Sequence, residues 1–156
     1  MQLTYETLLD EAYSNNIRVK ENYKFKSNSK GLINNNIIAI SDTLSTSFER
    51  ACVMAEELGH HYTSVGKIID LNSLDNSKQE QKARLWSYNK LIGLIGIVDA
   101  FEAGCLNSYE IANFLNVTEE FLQEAIERYT SIYGEMVVVD NYTIYFIPNL
   151  AVFKRM

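Results

Sequence analysis

The stretch CVMAEELGHHYTSVG at residues 52–66 decides how this chain is interpreted. It lies in a predicted helix that opens after Thr46, because a Thr followed three residues later by Glu49 is the signature of a capping box. The predicted helix runs to about His61 or Tyr62. Apolar residues recur along it at helical spacing and give it one buried face. They are Phe48, Ala51, Cys52, Ala55 and Leu58.

Two side chains of this helix have the spacing of metal ligands. Glu56 and His60 are four residues apart, so they share one face and both can reach a single ion. Glu57 is rotated by about 100° from Glu56 and can contact a water bound to that ion. This is the logic of the H-E-x-x-H pattern, in which two His hold zinc and the Glu is the general base. Here Glu56 replaces the first His, and carboxylate oxygen is an acceptable zinc ligand.

The same letters allow other interpretations. An acid and a His four apart on an exposed helix also form a simple side-chain pair. Glu57 and His61 are four apart as well, so a second register exists. The apolar stripe favours the first register, because Glu56 and His60 flank it and His61 is predicted to be exposed on the opposite side. Cys52 completes a ladder with Glu56 and His60, although a buried core cysteine is the simpler prediction.

Residues 52–66 resemble the active-site helix of the ImmA/IrrE family of metallopeptidases, in which many members carry AEELGH in place of HELGH. The resemblance covers most of the chain, from the N-terminal helix through residues 108–134. It implies a third metal ligand from a downstream E-x-x-A pattern, which Glu80 and Ala83 match. An alternative role for Glu80 is structural, because Ser77 and Glu80 have the spacing of a capping box that opens the next helix.

The resemblance implies a zincin-like endopeptidase that acts on a DNA-binding repressor of the helix-turn-helix type. Glu56, His60 and Glu80 would bind one divalent metal and Glu57 would be the general base. Zinc is the expected metal, and manganese or iron are alternatives because oxygen ligands loosen the preference for zinc. The missing first His motivates a second hypothesis, a catalytically inactive family member that regulates a protein by binding it.

The whole pattern predicts an α+β fold. A small N-terminal β-sheet leads into a helical zincin-like core, followed by a helix-turn-helix-like pair and a C-terminal β-hairpin. We assign residues 1–104 to the metallopeptidase-like core and 105–156 to the helix pair and hairpin, packed on the core as one compact unit. The predicted elements are a helix at 3–13, a strand at 17–21, a hairpin at 31–40 and helices at 46–62 and 77–91, the second of them after a polar loop at 72–76. Gly93 and Gly96 predict a break, followed by a further helix that ends near 104. Two helices with Ser108 and Thr118 as N-caps follow at 108–115 and 118–133, and then a hairpin at 136–147.

The helix-turn-helix cadence at residues 108–118 raises DNA binding as a third hypothesis. The charges argue against it, because a helix facing phosphates should be basic. The second helix of the pair carries four glutamates against the single Arg128, and the chain has a formal net charge of −6. A structural or protein-binding role is therefore expected for the helix pair, and nucleic acid is not favoured as a partner.

Cysteine usage and hydropathy favour a cytoplasmic protein. Cys52 and Cys105 do not form a CxxC pair and are predicted to be buried thiols. The N-terminus lacks a basic segment followed by an apolar run, so no signal peptide is predicted. The longest apolar stretch, 91–98, is too short to span a bilayer, and no membrane partner is expected. The sequence leaves the oligomeric state open.

Overall fold

The computed structural model describes the backbone of residues 2–64 and 73–156, and the side chains of 2–64 and 77–156. The final two residues of the motif stretch, Val65 and Gly66, lie outside the described residues. The described chain packs into two compact units, Leu3–Ser87 and Tyr88–Met156. The predicted division between a metallopeptidase-like core at 1–104 and a helix pair with hairpin at 105–156 stays a prediction.

The first unit contains a three-stranded sheet formed by β1 (Arg18–Tyr23), β2 (Gly31–Asn34) and β3 (Ile37–Ser41). Its strand order is β1-β3-β2. β2 and β3 form the predicted antiparallel hairpin, and β1 lies parallel to β3. The turn of the hairpin uses Asn35 at φ +55°, a left-handed conformation that Asn tolerates better than most residues. β2 is therefore an outer strand of this sheet.

Two helices pack on this sheet, α1 (Tyr5–Ser14) and α2 (Ser47–Thr63). The predicted capping box of α2 is confirmed: Thr46 accepts from the backbone N–H of Glu49, and the Glu49 carboxylate accepts from that of Thr46. This closes the first turn and fixes where the motif helix begins. The interior between these elements is apolar. Its fully buried side chains include Leu8, Ile17, Ile38, Ile40, Met54 and Leu58.

The third helix, α3 (Ser73–Leu91), begins earlier than predicted. The sequence placed Ser77 at the N-cap, with a polar loop over 72–76. That prediction is wrong for 73–77, because the backbone is already helical from residue 73, and residue 72 lies outside the described range. Ser77 is thus inside the helix, where its N–H belongs to the helical hydrogen-bond ladder. The capping role considered for Glu80 therefore does not apply.

The second unit contains α4 (Gly93–Glu102), α5 (Ser108–Leu115) and α6 (Glu119–Tyr133). The predicted break before Gly93 is confirmed, with Gly93 at φ +65°. The bounds of α5 agree with the prediction, but its N-cap does not. Asn107, rather than Ser108, is the cap and accepts from the N–H of the third helical residue, Glu110. Asn and Ser are both good N-cap residues, so the sequence Asn107-Ser108 alone could not show which of them caps α5.

A second antiparallel sheet closes this unit, formed by β4 (Met136–Val139), β5 (Tyr142–Tyr145) and β6 (Ala151–Lys154). The predicted hairpin of β4 and β5 is confirmed, with Asp140 at φ +52° in its turn. β6, which pairs with β5, was not predicted from the sequence. The α+β class is confirmed. Across residues 2–64 and 73–156, no helix is long and apolar enough to cross a membrane.

Candidate metal centre

The motif helix α2 presents its polar side chains to a cleft of about 1090 Å³ in the first unit. One wall is β2 with its flanking residues, 29–35. The opposite wall comes from α2 and α3. Its polar side chains include Glu56, Glu57, His60, Glu80 and Arg84. The structure thus brings together all four residues that the sequence selected, and Arg84 joins them.

The backbones of α2 and α3 approach closely at one point of this wall. A Cβ atom built on Gly59 would lie 2.4 Å from the backbone oxygen of Ala83, so only glycine fits there. Ala83 is fully buried. One turn further along α2, the rings of Tyr62 and Trp86 are in contact, with their centroids 5.1 Å apart. This approach sets the distance between the polar side chains of the two helices.

His60 and Glu80 are in direct contact across the two helices. The distance between His60 Nε2 and Glu80 Oε2 is 3.0 Å. The side chains are 25% and 42% exposed, so both reach into the open cleft. A nitrogen and a carboxylate oxygen held this close are two donors of the kind that divalent transition metals bind.

Arg84 connects the two carboxylates of the proposed ligand set. Its Nε lies 3.3 Å from Glu56 Oε1 and 3.1 Å from Glu80 Oε1. Glu80 therefore divides its oxygens between His60 and Arg84. The positive guanidinium holds Glu56 and Glu80 on the same side of the cleft, where their negative charges would otherwise repel each other.

Glu57 occupies the most enclosed position of the group. A Cβ atom built on Gly31 would lie 3.1 Å from Glu57 Oε2, so the carboxyl rests against the start of β2. Burial, together with the negative charges of Glu56 and Glu80, raises the pKa of Glu57 from 4.5 to about 8. A carboxyl group with this pKa can take up and release a proton near neutral pH.

The sequence also predicted that Cys52 and Cys105 are buried and that His61 is exposed. Cys52 is buried, as predicted. Cys105 is only partly buried, so that prediction is wrong: it follows the end of α4, and its thiol meets the Glu110 carbonyl at 3.6 Å. The prediction that His61 is exposed is also wrong. His61 is partly buried. It lines the cleft, and its ring contacts the ring of Tyr62.

The donor set fits a divalent cation in kind, with one imidazole nitrogen and two carboxylates on one cleft wall. It is not a preassembled triad. Among the side chains of residues 2–64 and 77–156, no three His, Cys, Asp or Glu stand together as a ready metal cluster. Arg84 connects Glu56 with Glu80, and Glu80 in turn contacts His60. A cation held by all three side chains would supply the positive charge that Arg84 now gives to the two carboxylates.

Residues 14–127, well over half of the chain, match the family model described as the IrrE N-terminal-like domain of peptidase M78. The chain belongs to the ImmA/IrrE metallopeptidase family. The resemblance carried by the motif helix is thereby confirmed. No curated protein and no solved structure matches the chain at a significant level. Membership in ImmA/IrrE implies a metal cofactor, whereas the roles of Glu56, Glu57, His60 and Glu80 stay predictions.

The first prediction concerns the close approach of the two helices. Gly59→Ala places a methyl group against the Ala83 backbone, so we expect a loss of about 1–3 kcal/mol in the free energy of unfolding measured in urea. The control is Gly96→Ala in α4, where the nearest atom to the new Cβ is the flexible end of Leu115 at 3.4 Å. This control should gain up to about 1 kcal/mol. Equal effects of both substitutions would contradict the constraint.

The second prediction follows from the raised pKa of Glu57. Between pH 4.5 and about 8 the folded chain keeps a proton on Glu57 that the unfolded chain releases. With chelator present, the free energy of unfolding should therefore fall as pH rises through this window, by at most about 1.4 kcal/mol per pH unit from this group. Glu57→Gln cannot ionise and should remove that contribution. Parallel pH profiles for the two proteins would show that Glu57 ionises normally.

Proposed function

We propose that the chain is a metal-dependent endopeptidase in which Glu56, His60 and Glu80 hold one divalent cation and Glu57 is the general base. Zinc is the proposed metal, in line with the imidazole and carboxylate donors. The observation that carries the proposal is the contact of His60 with Glu80 at 3.0 Å, beside the buried carboxyl of Glu57. Family membership supports the same reaction class.

A divalent cation at this position supplies Lewis acidity to a water molecule and to the substrate carbonyl. The protein groups move the proton and hold the reactants. Glu57 accepts a proton from the attacking water at a carboxylate oxygen and then returns it to the leaving amine nitrogen. The carboxyl of Glu57 rests against Gly31 at the start of β2, and this contact holds its orientation in the cleft. A cation among Glu56 and Glu80 would offset the repulsion that now favours the protonated form of Glu57.

The opposite wall of the cleft suits an extended polypeptide. β2 pairs with β3 in a sheet whose order is β1-β3-β2, so no strand of that sheet pairs with its other edge, and residues 31–34 line the cleft. The outer edge of a strand offers backbone donors and acceptors to a further strand. A substrate segment can therefore bind by strand addition, which leaves its side chains free for selection.

For the substrate we propose a DNA-binding repressor of the helix-turn-helix type. The support is the family to which the chain belongs, whose members act on such repressors. The acidic surface of the second unit is compatible with a basic protein partner. From residue 88 to 156 the sequence holds nine Asp and Glu against four Lys and Arg. A repressor substrate also locates the proposed activity in the cytoplasm.

One observation favours a second candidate function, a non-catalytic regulator that binds its partner. Arg84 already provides a positive charge to Glu56 and Glu80, at 3.3 Å and 3.1 Å. One guanidinium offsets part of the negative charge of the two carboxylates and so lessens their need for a cation, and the family's first histidine is absent at position 56. Under this hypothesis partner binding is stoichiometric and insensitive to chelator. The DNA-binding hypothesis has the least support, because the helix pair is acidic.

The third prediction tests the endopeptidase. The zinc-loaded wild type is incubated with a peptide library prepared from a denatured bacterial proteome, and new N-termini are identified by mass spectrometry. Glu57→Gln removes the proton acceptor with little change in shape, so cleavage should fall by at least about a hundredfold. Zinc content and the unfolding transition should persist in this variant.

Chelator provides the control, because it should abolish the same cleavages in the wild type. Cleavage sites that survive both Glu57→Gln and chelator would contradict the proposal. A wild type that yields no new N-termini but binds a repressor stoichiometrically would favour the regulator.

A further inference from the structure

The segment RVKENYKFKSNSK at residues 18–30 has a charge opposite to that of the rest of the chain. It contains five Lys and Arg and one Glu, a net charge of +4 in a chain whose net charge is −6. The remaining residues therefore carry −10. All five cationic side chains are exposed: Arg18, Lys20, Lys24, Lys26 and Lys30. We call this set the basic surface.

The one acid of the segment does not neutralise the basic surface. The carboxylate of Glu21 accepts a hydrogen bond of 2.9 Å from the hydroxyl of Tyr5 in α1. Among the ion pairs between described residues, none includes a member of the basic surface. Its positive charge therefore faces solvent.

The fold brings one part of the basic surface to the cleft. Arg18 and Lys20 lie in β1, and the other three cations lie in the connection from β1 to β2. Lys30 lines the cleft, and its carbonyl accepts from the backbone N–H of Ser41 at 2.9 Å. Tyr23 and Phe25 stack edge to face, with centroids 4.8 Å apart, on either side of Lys24. The hydrogen bond joins the end of the connection to β3, and the ring contact orders its start.

We propose that the basic surface recognises an acidic segment of the polypeptide that occupies the cleft. The proposal rests on the proposed function, because it takes the cleft to bind a polypeptide along β2. Lys30 lies at the cleft itself, and the connection that carries Lys24 and Lys26 leads to it from β1. Acidic residues on that side of the bound chain gain attraction and are steered toward the site.

The charge distribution favours a short acidic polypeptide segment over nucleic acid. A nucleic acid carries phosphates along its whole length and would meet the −10 of the remaining chain. A polypeptide can restrict its acidic residues to the part that contacts the basic surface.

The test uses the full chain carrying Glu57→Gln, in chelator, with a fluorescein-labelled short poly-glutamate peptide as the probe. Fluorescence anisotropy should show binding that weakens as salt is added, since exposed charges are screened. Adding Lys24→Gln and Lys26→Gln should weaken binding about fivefold, given the modest energy of each exposed charge pair. The matched control, Lys78→Gln with Lys82→Gln on α3, removes the same charge from exposed positions and should change binding by less than about twofold.

Equal weakening in the two double variants would overturn the proposal, because it would reduce the effect to net charge. An absence of poly-glutamate binding would overturn it as well. Tighter binding of single-stranded oligo-dT, lost with Lys24 and Lys26, would assign the surface to nucleic acid instead. Binding is measured without metal or turnover, so a failure here leaves the proposed hydrolysis standing, and a failure of hydrolysis leaves this result standing.

Discussion

The close approach of α2 to α3 at Gly59 and Ala83 is the constraint on which the candidate site depends. Neither helix alone carries the proposed ligand set: Glu56 and His60 lie on α2, and Glu80 lies on α3. A Cβ atom on Gly59 would lie 2.4 Å from the Ala83 backbone, so the absence of a side chain allows the helices to pack this tightly. Only at this separation does Glu80 reach His60 at 3.0 Å. The glycine in the motif is thus a packing requirement with a chemical consequence.

The electrostatics of the cleft follow from the same packing. Three carboxylates lie near one another, and the structure accommodates them in different ways. Glu56 and Glu80 remain partly exposed and share the guanidinium of Arg84. Glu57 is more enclosed, so its pKa is raised and its proton is retained to a higher pH. One wall therefore contains groups suited to holding a cation and a group suited to carrying a proton, which is the division of roles that metal-assisted hydrolysis needs.

Local signals in the sequence predicted much of this fold and failed where the outcome depended on distant residues. The Thr46 capping box and the hairpin before α2 are encoded within a few residues, and both were predicted. The Ser77 capping box was wrong, because an identical local pattern also fits inside a helix. The convergence of Glu56, His60 and Glu80 came from family resemblance, since spacing cannot specify how two helices cross. Arg84 was missed although it lies one turn after Glu80, because its contact with Glu56 exists only in the folded chain.

The central claim is that His60 and Glu80 hold one metal ion together with Glu56, and metal content tests it most directly. Elemental analysis of untagged protein is made on the wild type, His60→Ala, Glu80→Ala and, as the control for the second register, His61→Ala. The account predicts close to one equivalent of divalent metal in the wild type and in His61→Ala, and loss of that metal in the other two variants. A wild type that neither contains metal nor takes it up from added zinc or manganese would contradict the account, as would retention of metal in both His60→Ala and Glu80→Ala.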